Sequence, residues 1–275
     1  MKKLMLAAAV AAISTATLAA DGIVSSSVVG YQNKALAGGY DYNLTVSTFQ
    51  TVGKEKSAMT IGDIGASASW MTGSDEVKTL LANGAVDKAY TYVNATDASD
   101  WGCPEGWYLT DDVNDDSIED LTDYCKNSTL LPLGNGLLTL VGSASTTLTY
   151  AGQVLEEDQL IGLNGGYDYN ITGNISPADI TLGDITASNG WMTGSDELKT
   201  LEANGAVKAA YTYVNETDAS DWGCPAGWYL TDDVNDDSIE DLTDYCKNTT
   251  PVSAGEAFIV LVGSASTTIT VPSAL

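Results

Sequence analysis

The sequence predicts an all-β protein made of two tandem β-sandwich or partly open barrel modules, each with a disulfide-closed acidic loop. Three observations predict this. The chain of 275 residues repeats itself at a domain-sized period. Its apolar residues fall in short β-branched and aromatic runs between Gly, Ser and Asn turns. Its four Cys recur at one spacing, two per copy, around a run of acids.

Taken in chain order, Lys2 and Lys3, the apolar run 4–13 and the small-residue exit Thr17-Leu18-Ala19-Ala20 are the three parts of a secretory signal peptide. Residues 1–20 are therefore expected to be removed on export. The apolar run is too short to span about 30 Å of hydrocarbon, and no later segment reads as a transmembrane helix. No Cys follows the cleavage site, which argues against a lipid anchor there. The expected location is secreted or cell-surface, with the periplasm left open.

The repeat comes next. Trp70-Met71-Thr72-Gly73-Ser74-Asp75-Glu76 returns as Trp191-Met192-Thr193-Gly194-Ser195-Asp196-Glu197, an offset of 121. Gly39-Tyr40-Asp41-Tyr42-Asn43 returns as Gly166-Tyr167-Asp168-Tyr169-Asn170 at an offset of 127. The first copy thus carries about six extra residues within 47–57, expected as a longer surface loop. A unit of this size is a domain rather than a solenoid turn. The expected modules are residues 21–155 and 156–275, with the boundary in the acidic stretch 152–163.

Inside the first copy, residues 76–81 and 89–93 flank Ala82-Asn83-Gly84. The first run reads either as a short helix or as one arm of a hairpin. Asn-Gly between two runs favours the hairpin, and Glu202 in the place of Leu81 shows that one position of the helical face is dispensable. Residues 137–141 and 146–150, around Gly142-Ser143-Ala144-Ser145, read as a second hairpin with a counterpart at 258–271.

Cys103 and Cys125 share their spacing with Cys224 and Cys246. Three pairings are open in an exported protein. Self-consistent copies favour Cys103 with Cys125 and Cys224 with Cys246, the alternatives being free thiols or links between copies. Seven carboxylates crowd residues 110–123, between the first pair. Asp112, Asn114 and Asp116 have the i, i+2, i+4 spacing of a calcium loop, and Asp123 sits at its twelfth position. The second copy repeats them as Asp233, Asn235, Asp237 and Asp244. Ser117 stands where such a loop needs Gly, so a looser Ca²⁺ site is expected rather than an EF-hand. A solvated acidic loop is the competing reading. Ca²⁺ is the candidate cofactor.

Trp101 and Trp107 straddle Cys103, as Trp222 and Trp228 straddle Cys224. Flat rings beside carboxylates suit a sugar platform, and packing around the Cys is the alternative. Seven N-x-Ser/Thr sequons, Asn94 and Asn127 among them, are read as products of a Thr-rich composition.

With 37 acids against 11 bases, all of them Lys, the chain carries a net charge of −26. Such a surface repels phosphate backbones, so nucleic acid is excluded as a partner. With no His, a Ser-His-Asp relay and an imidazole zinc site are excluded as well.

Several stretches together resemble a group of secreted bacterial β-modules. They are Val28-Val29-Gly30-Tyr31-Gln32-Asn33-Lys34, residues 75–80, Tyr90-Thr91-Tyr92, Gly106-Trp107-Tyr108, Gly134-Asn135-Gly136 and Ala151-Gly152-Gln153-Val154. The resemblance implies secretion and β architecture, supports the hairpin at 76–93, and carries no established activity. The second copy lacks the opening Val-Val-Gly-Tyr, which leaves its first strand unassigned, and the acidic Cys-flanked insert departs from the pattern.

The expected function is a non-enzymatic surface or extracellular structural or adhesive protein. Its strand near residues 23–31 would add to the sheet edge of a neighbouring chain. A tandem carbohydrate-binding protein is the alternative, and a carboxylate-dependent hydrolase comes third. The expected partners are a second copy or a glycan.

Overall fold

The computed structural model describes residues 29–50, 59–114, 125–202, 204–222, 224–235 and 246–273. Residues 1–20, expected as a signal peptide, and Asp116, Asp123, Asp237 and Asp244 lie outside them. The first copy forms β1 (Val29–Leu36), β2 (Asp41–Val46), β3 (Phe49–Gln50), β4 (Met59–Thr60), β5 (Ile64–Ala66), β6 (Glu76–Leu80), β7 (Val86–Val93), α1 (Ala95–Trp101), β8 (Gly106–Leu109), α2 (Thr110–Asn114), β9 (Leu130–Leu131), β10 (Gly136–Val141) and β11 (Thr146–Val154). The second forms β12 (Gln159–Leu163), β13 (Asp168–Gly173), β14 (Ile180–Thr181), β15 (Thr186–Ala187), β16 (Glu197–Leu201), β17 (Val207–Val214), α3 (Glu216–Trp222), β18 (Gly227–Leu230), α4 (Thr231–Asn235), β19 (Pro251–Val252), β20 (Ala257–Val262) and β21 (Thr267–Val271).

The strands build small antiparallel sheets. In the first copy, β11 lies between β1 and β3 and also pairs with β5, and a five-stranded sheet runs β2-β10-β6-β7-β8. The second copy has β12-β21-β15 and β13-β20-β16-β17-β18. All ladders among the described residues join strands of one copy. The two copies touch by an isolated bridge, Thr45 to Glu256.

Residues 76–93 form a hairpin. The turn needs a left-handed residue, and Gly84 supplies it at φ +81. Leu81 N–H donates to Ala85 O at 2.8 Å across that turn.

Residues 137–141 and 146–150 are not a hairpin. β10 joins β2 and β6 in one sheet, whereas β11 joins β1, β3 and β5 in another. The Gly-Ser connection is an arch between sheets. It is fixed by the buried Asp75 carboxylate, which accepts from Ser143 N at 2.9 Å, Ser143 Oγ at 2.7 Å and Met71 N at 2.8 Å. Asp196 holds Ser264 and Met192 N in the same way.

Two further expectations change. Part of the extra stretch in the first copy is strand rather than loop: β3 pairs with β11, and Phe49 is buried in the core. The second copy does have a first strand. β12 pairs with β21 as β1 pairs with β11, so Gln159–Leu163 fills the place without the Val-Val-Gly-Tyr sequence.

In each copy the two sheets face each other over one core. In the first copy Leu36, Ile64, Leu148 and Tyr150 meet Val77, Leu137 and Val141 around Trp107. Trp107 donates its Nε1–H to Ile64 O at 2.7 Å. Trp70 and Tyr92 meet it edge-on at 5.4 and 5.3 Å, the arrangement that ring quadrupoles favour. Trp228 repeats this with Trp191 and Tyr213.

The outer faces of the two larger sheets also pack together. Val46 and Leu155 of the first copy belong to the core of the second, with Leu44, Leu80 and Leu138 against it. The contact is reciprocal. A Cβ on Gly84 would lie 3.0 Å from the ring of Tyr169, and one on Gly205 would lie 3.1 Å from the ring of Tyr42. That exchange is the mark of a two-fold relation. No helix among the described residues is long and apolar enough to cross a membrane.

Candidate functional site

The Cys-flanked region begins at the end of β7. Asn94 caps α1, accepting from Thr96 N and Asp97 N at 2.9 and 3.1 Å. Gly102 closes the helix in the left-handed region at φ +69. Trp101, the last helical residue, is 41% exposed. The equivalent Trp222 ends α3, and its side chain lies outside the described residues. Trp107 and Trp228 are 0% exposed. They are core residues, which corrects their placement on a sugar platform. Their indoles are consumed by the Ile64 and Ile185 carbonyls.

Cys103 and Cys125 both pack against a small cluster of Val93, Ala98, Tyr108 and Val113. Cys224 and Cys246 do the same in the second copy. All four are free thiols, so neither expected cross-link is formed. The Tyr108 hydroxyl donates to Pro104 O at 2.7 Å. Burial, and then the neighbouring Cys103 and Cys125 thiols, push its pKa up, as Tyr229 is pushed up by burial and by Cys224 and Cys246.

Asp112 and Asn114 lie on α2 and Asp233 and Asn235 on α4, in helical turns rather than in an open loop. Residues two apart on a helix diverge by about 200°, so Asp112 and Asn114 do not converge as the opening of a calcium loop. Asn114 points back and donates to Gly73 O at 3.4 Å. Among the described residues no three His, Cys, Asp or Glu gather as metal ligands. The Oδ2 atoms of Asp112 and Asp233 are buried without a hydrogen-bond partner among the described residues. Like Asn94, two further sequon residues have structural roles: Asn127 Oδ1 accepts from Trp107 N at 2.9 Å and Asn248 Oδ1 from Trp228 N at 2.8 Å.

A feature that the sequence did not announce lies at the joint between the copies, where two clefts open. The larger, of about 330 Å³, lies between the β6–β7 hairpin, residues 129–132 and 135–137, and residues 161–164 and 169–172 of the second copy. The smaller, of about 260 Å³, has the equivalent walls: Tyr42 to Thr45 with Thr200 and Leu201. Their contents differ. The larger holds Asp87, Lys88 and Asn135. The smaller holds Lys34 and Glu256. Burial pushes the Lys34 pKa down, opposed by Glu256 and Asp179. On the floor of the larger cleft, burial and then the Asp87 carboxylate push Tyr90 up, against a hydrogen bond with the Thr129 side chain.

Compared with known proteins, the chain matches no family model, no curated protein and no solved structure.

Proposed function

We propose that the chain is an exported, non-enzymatic structural or adhesive protein of the cell surface or extracellular space, built from two β-sandwich modules, residues 21–155 and 156–275. The observation that carries this reading is the position of β1. It lies at a sheet edge, paired along all eight residues with β11 on one side, and it presents Val29 and Tyr31 at 53% and 70% exposure. An edge strand with exposed apolar residues supports pairing with a second chain. Because Val29, Gly30 and Tyr31 complete the chain's own sheet, truncation would damage the fold, and charge is the cleaner probe. Light scattering of the intact protein should give assemblies, and V29K/Y31K should give monomers. A strictly monomeric intact protein would sink the proposal.

A carbohydrate-binding role is the second reading, favoured by the exposed ring of Trp101 at the end of α1. A glycan array on which the intact protein finds no ligand, or on which W101A retains every hit, would remove it.

Two features of the modules belong to the same proposal. Packing of both Cys of each copy on one cluster supports oxidation to Cys103–Cys125 and Cys224–Cys246 after export. Intact mass of the exported protein, with and without reductant, should differ by four hydrogens. The unpartnered Asp112 and Asp233 oxygens support Ca²⁺ at the acidic loops, since a buried carboxylate oxygen is costly unless neutralised or hydrogen-bonded. Millimolar Ca²⁺ should then raise the melting temperature, and calorimetry showing no heat removes the cation.

A further inference from the structure

We propose that the larger cleft at the joint is a single binding site for a neutral saccharide of one or two sugar units, with walls from both copies. It goes beyond the reading above and stands whether or not chains associate through β1. At about 330 Å³ the cleft falls in the range of small-molecule sites. Its lining offers a carboxylate, Asp87, an ammonium, Lys88, and the side-chain amides of Asn135 and Asn164. Donors and acceptors side by side suit hydroxyl groups, which do both. Opposite charges at neighbouring positions give little net field for an ion, and a protein of net charge −26 repels anions.

Tyr169 supplies a flat ring that is fixed before any ligand arrives. Its N–H donates to Ala82 O at 2.6 Å, and its ring rests over Gly84, where no Cβ intervenes. Fixing a contact surface in advance lowers the entropy cost of binding.

The differences between the copies point to the same place. Residues 70–127 and 191–248 differ at six positions: Val77/Leu198, Leu81/Glu202, Asp87/Lys208, Lys88/Ala209, Ala95/Glu216 and Glu105/Ala226. Two of these line the cleft, and outside that block Asn135/Glu256 and Lys34/Ile161 also fall on the two clefts. The hairpin folds identically with either set, so the fold does not need these particular residues. In the smaller cleft Lys34 and Glu256 attract each other, which leaves less free hydrogen-bonding capacity.

The test is amide-shift NMR on the mature chain, titrated with neutral mono- and disaccharides of glucose, galactose, mannose and N-acetylglucosamine at millimolar concentrations. At least one sugar should shift the amides of Asp87, Asn135 and Asn164. D87A and N164A, both at exposed positions, should weaken that binding about tenfold, a loss of about 1.4 kcal/mol. K208A, its counterpart outside the cleft, and W101A should leave it unchanged, with unperturbed spectra showing that all four variants fold. The proposal is overturned if no sugar shifts these amides, if the shifts gather around Trp101 instead, or if D87A and N164A bind as the parent does.

Discussion

Thr45 and Thr172 hold the same place in the two copies, yet only Thr45 has a partner for its hydroxyl. Its Oγ1 lies 2.7 Å from the Tyr150 hydroxyl. Val271 stands where Tyr150 does, and Thr172 Oγ1 is buried without a hydrogen-bond partner among the described residues. An orphaned hydroxyl costs more than the methyl that would replace it. Thr172→Val should therefore raise stability by about 1 kcal/mol, whereas Tyr150→Phe should lower it by about 1 kcal/mol, both read from urea midpoints. Burial also pushes the Tyr150 pKa up to about 12. The unfolded chain ionises this group near pH 10, and the folded chain keeps it neutral until higher pH. Its contribution is thus whole below pH 10 and falls between pH 10 and about 12, by about 1.4 kcal/mol per pH unit. Melting temperatures across that window should fall less steeply in Tyr150→Phe, and equal slopes would contradict the assignment. The Tyr150/Val271 difference is legible in the sequence. Its consequence is not, because Thr45 lies 105 residues away on the facing sheet.

At the scale of elements, legibility depended on whether the local signal admits one answer. Asn83-Gly84 between two β-type runs demands a left-handed turn, and the β6–β7 hairpin was readable from it. Gly142-Ser143-Ala144-Ser145 suits a hairpin and an arch between sheets equally, and the deciding residue, Asp75, lies 68 positions back. Replacing it exposes what the arch rests on. Asp75→Ala would leave three donors at Met71 and Ser143 without their acceptor in a buried site, a loss of about 3 kcal/mol. Asp196→Ala should cost the second copy a similar amount, and equal-sized changes in urea midpoint check the equivalence. The acidic stretch admits more than one answer for a related reason. The i, i+2 spacing of Asp112 and Asn114 has the meaning of a calcium loop only in extended or looped backbone. Here Val113 is drawn into the Tyr108 cluster, and the chain around it is helical.

At the scale of the whole molecule, the repeat was the plainest feature of the sequence, and it said nothing of how the copies meet. Local patterning marks a residue as apolar without saying which core it enters. Leu44 and Val46 look like ordinary strand residues of the first copy, yet Val46 is buried in the core of the second and Leu44 packs against it. The clefts were invisible for the same reason, since each is walled by several separate stretches drawn from both copies. Shared burial has a thermodynamic consequence: neither copy can open without exposing apolar surface of the other, so the chain should unfold as one cooperative unit. Gly136 is the place to test this. A Cβ there would lie 2.4 Å from Ile171 Cγ2 and 3.4 Å from Ala257 Cβ, so Gly136→Val drives a wedge into the joint. Gly102→Ala serves as the control, because it places its methyl in open space and carries only the left-handed backbone cost of about 1 kcal/mol. The parent and Gly102→Ala should melt in one step, with near-ultraviolet dichroism and tryptophan emission coinciding. Gly136→Val should melt earlier, in two separated steps, as each copy unfolds on its own core. Two steps in the parent, or an unchanged single step in Gly136→Val, would mean that the joint does not couple the copies.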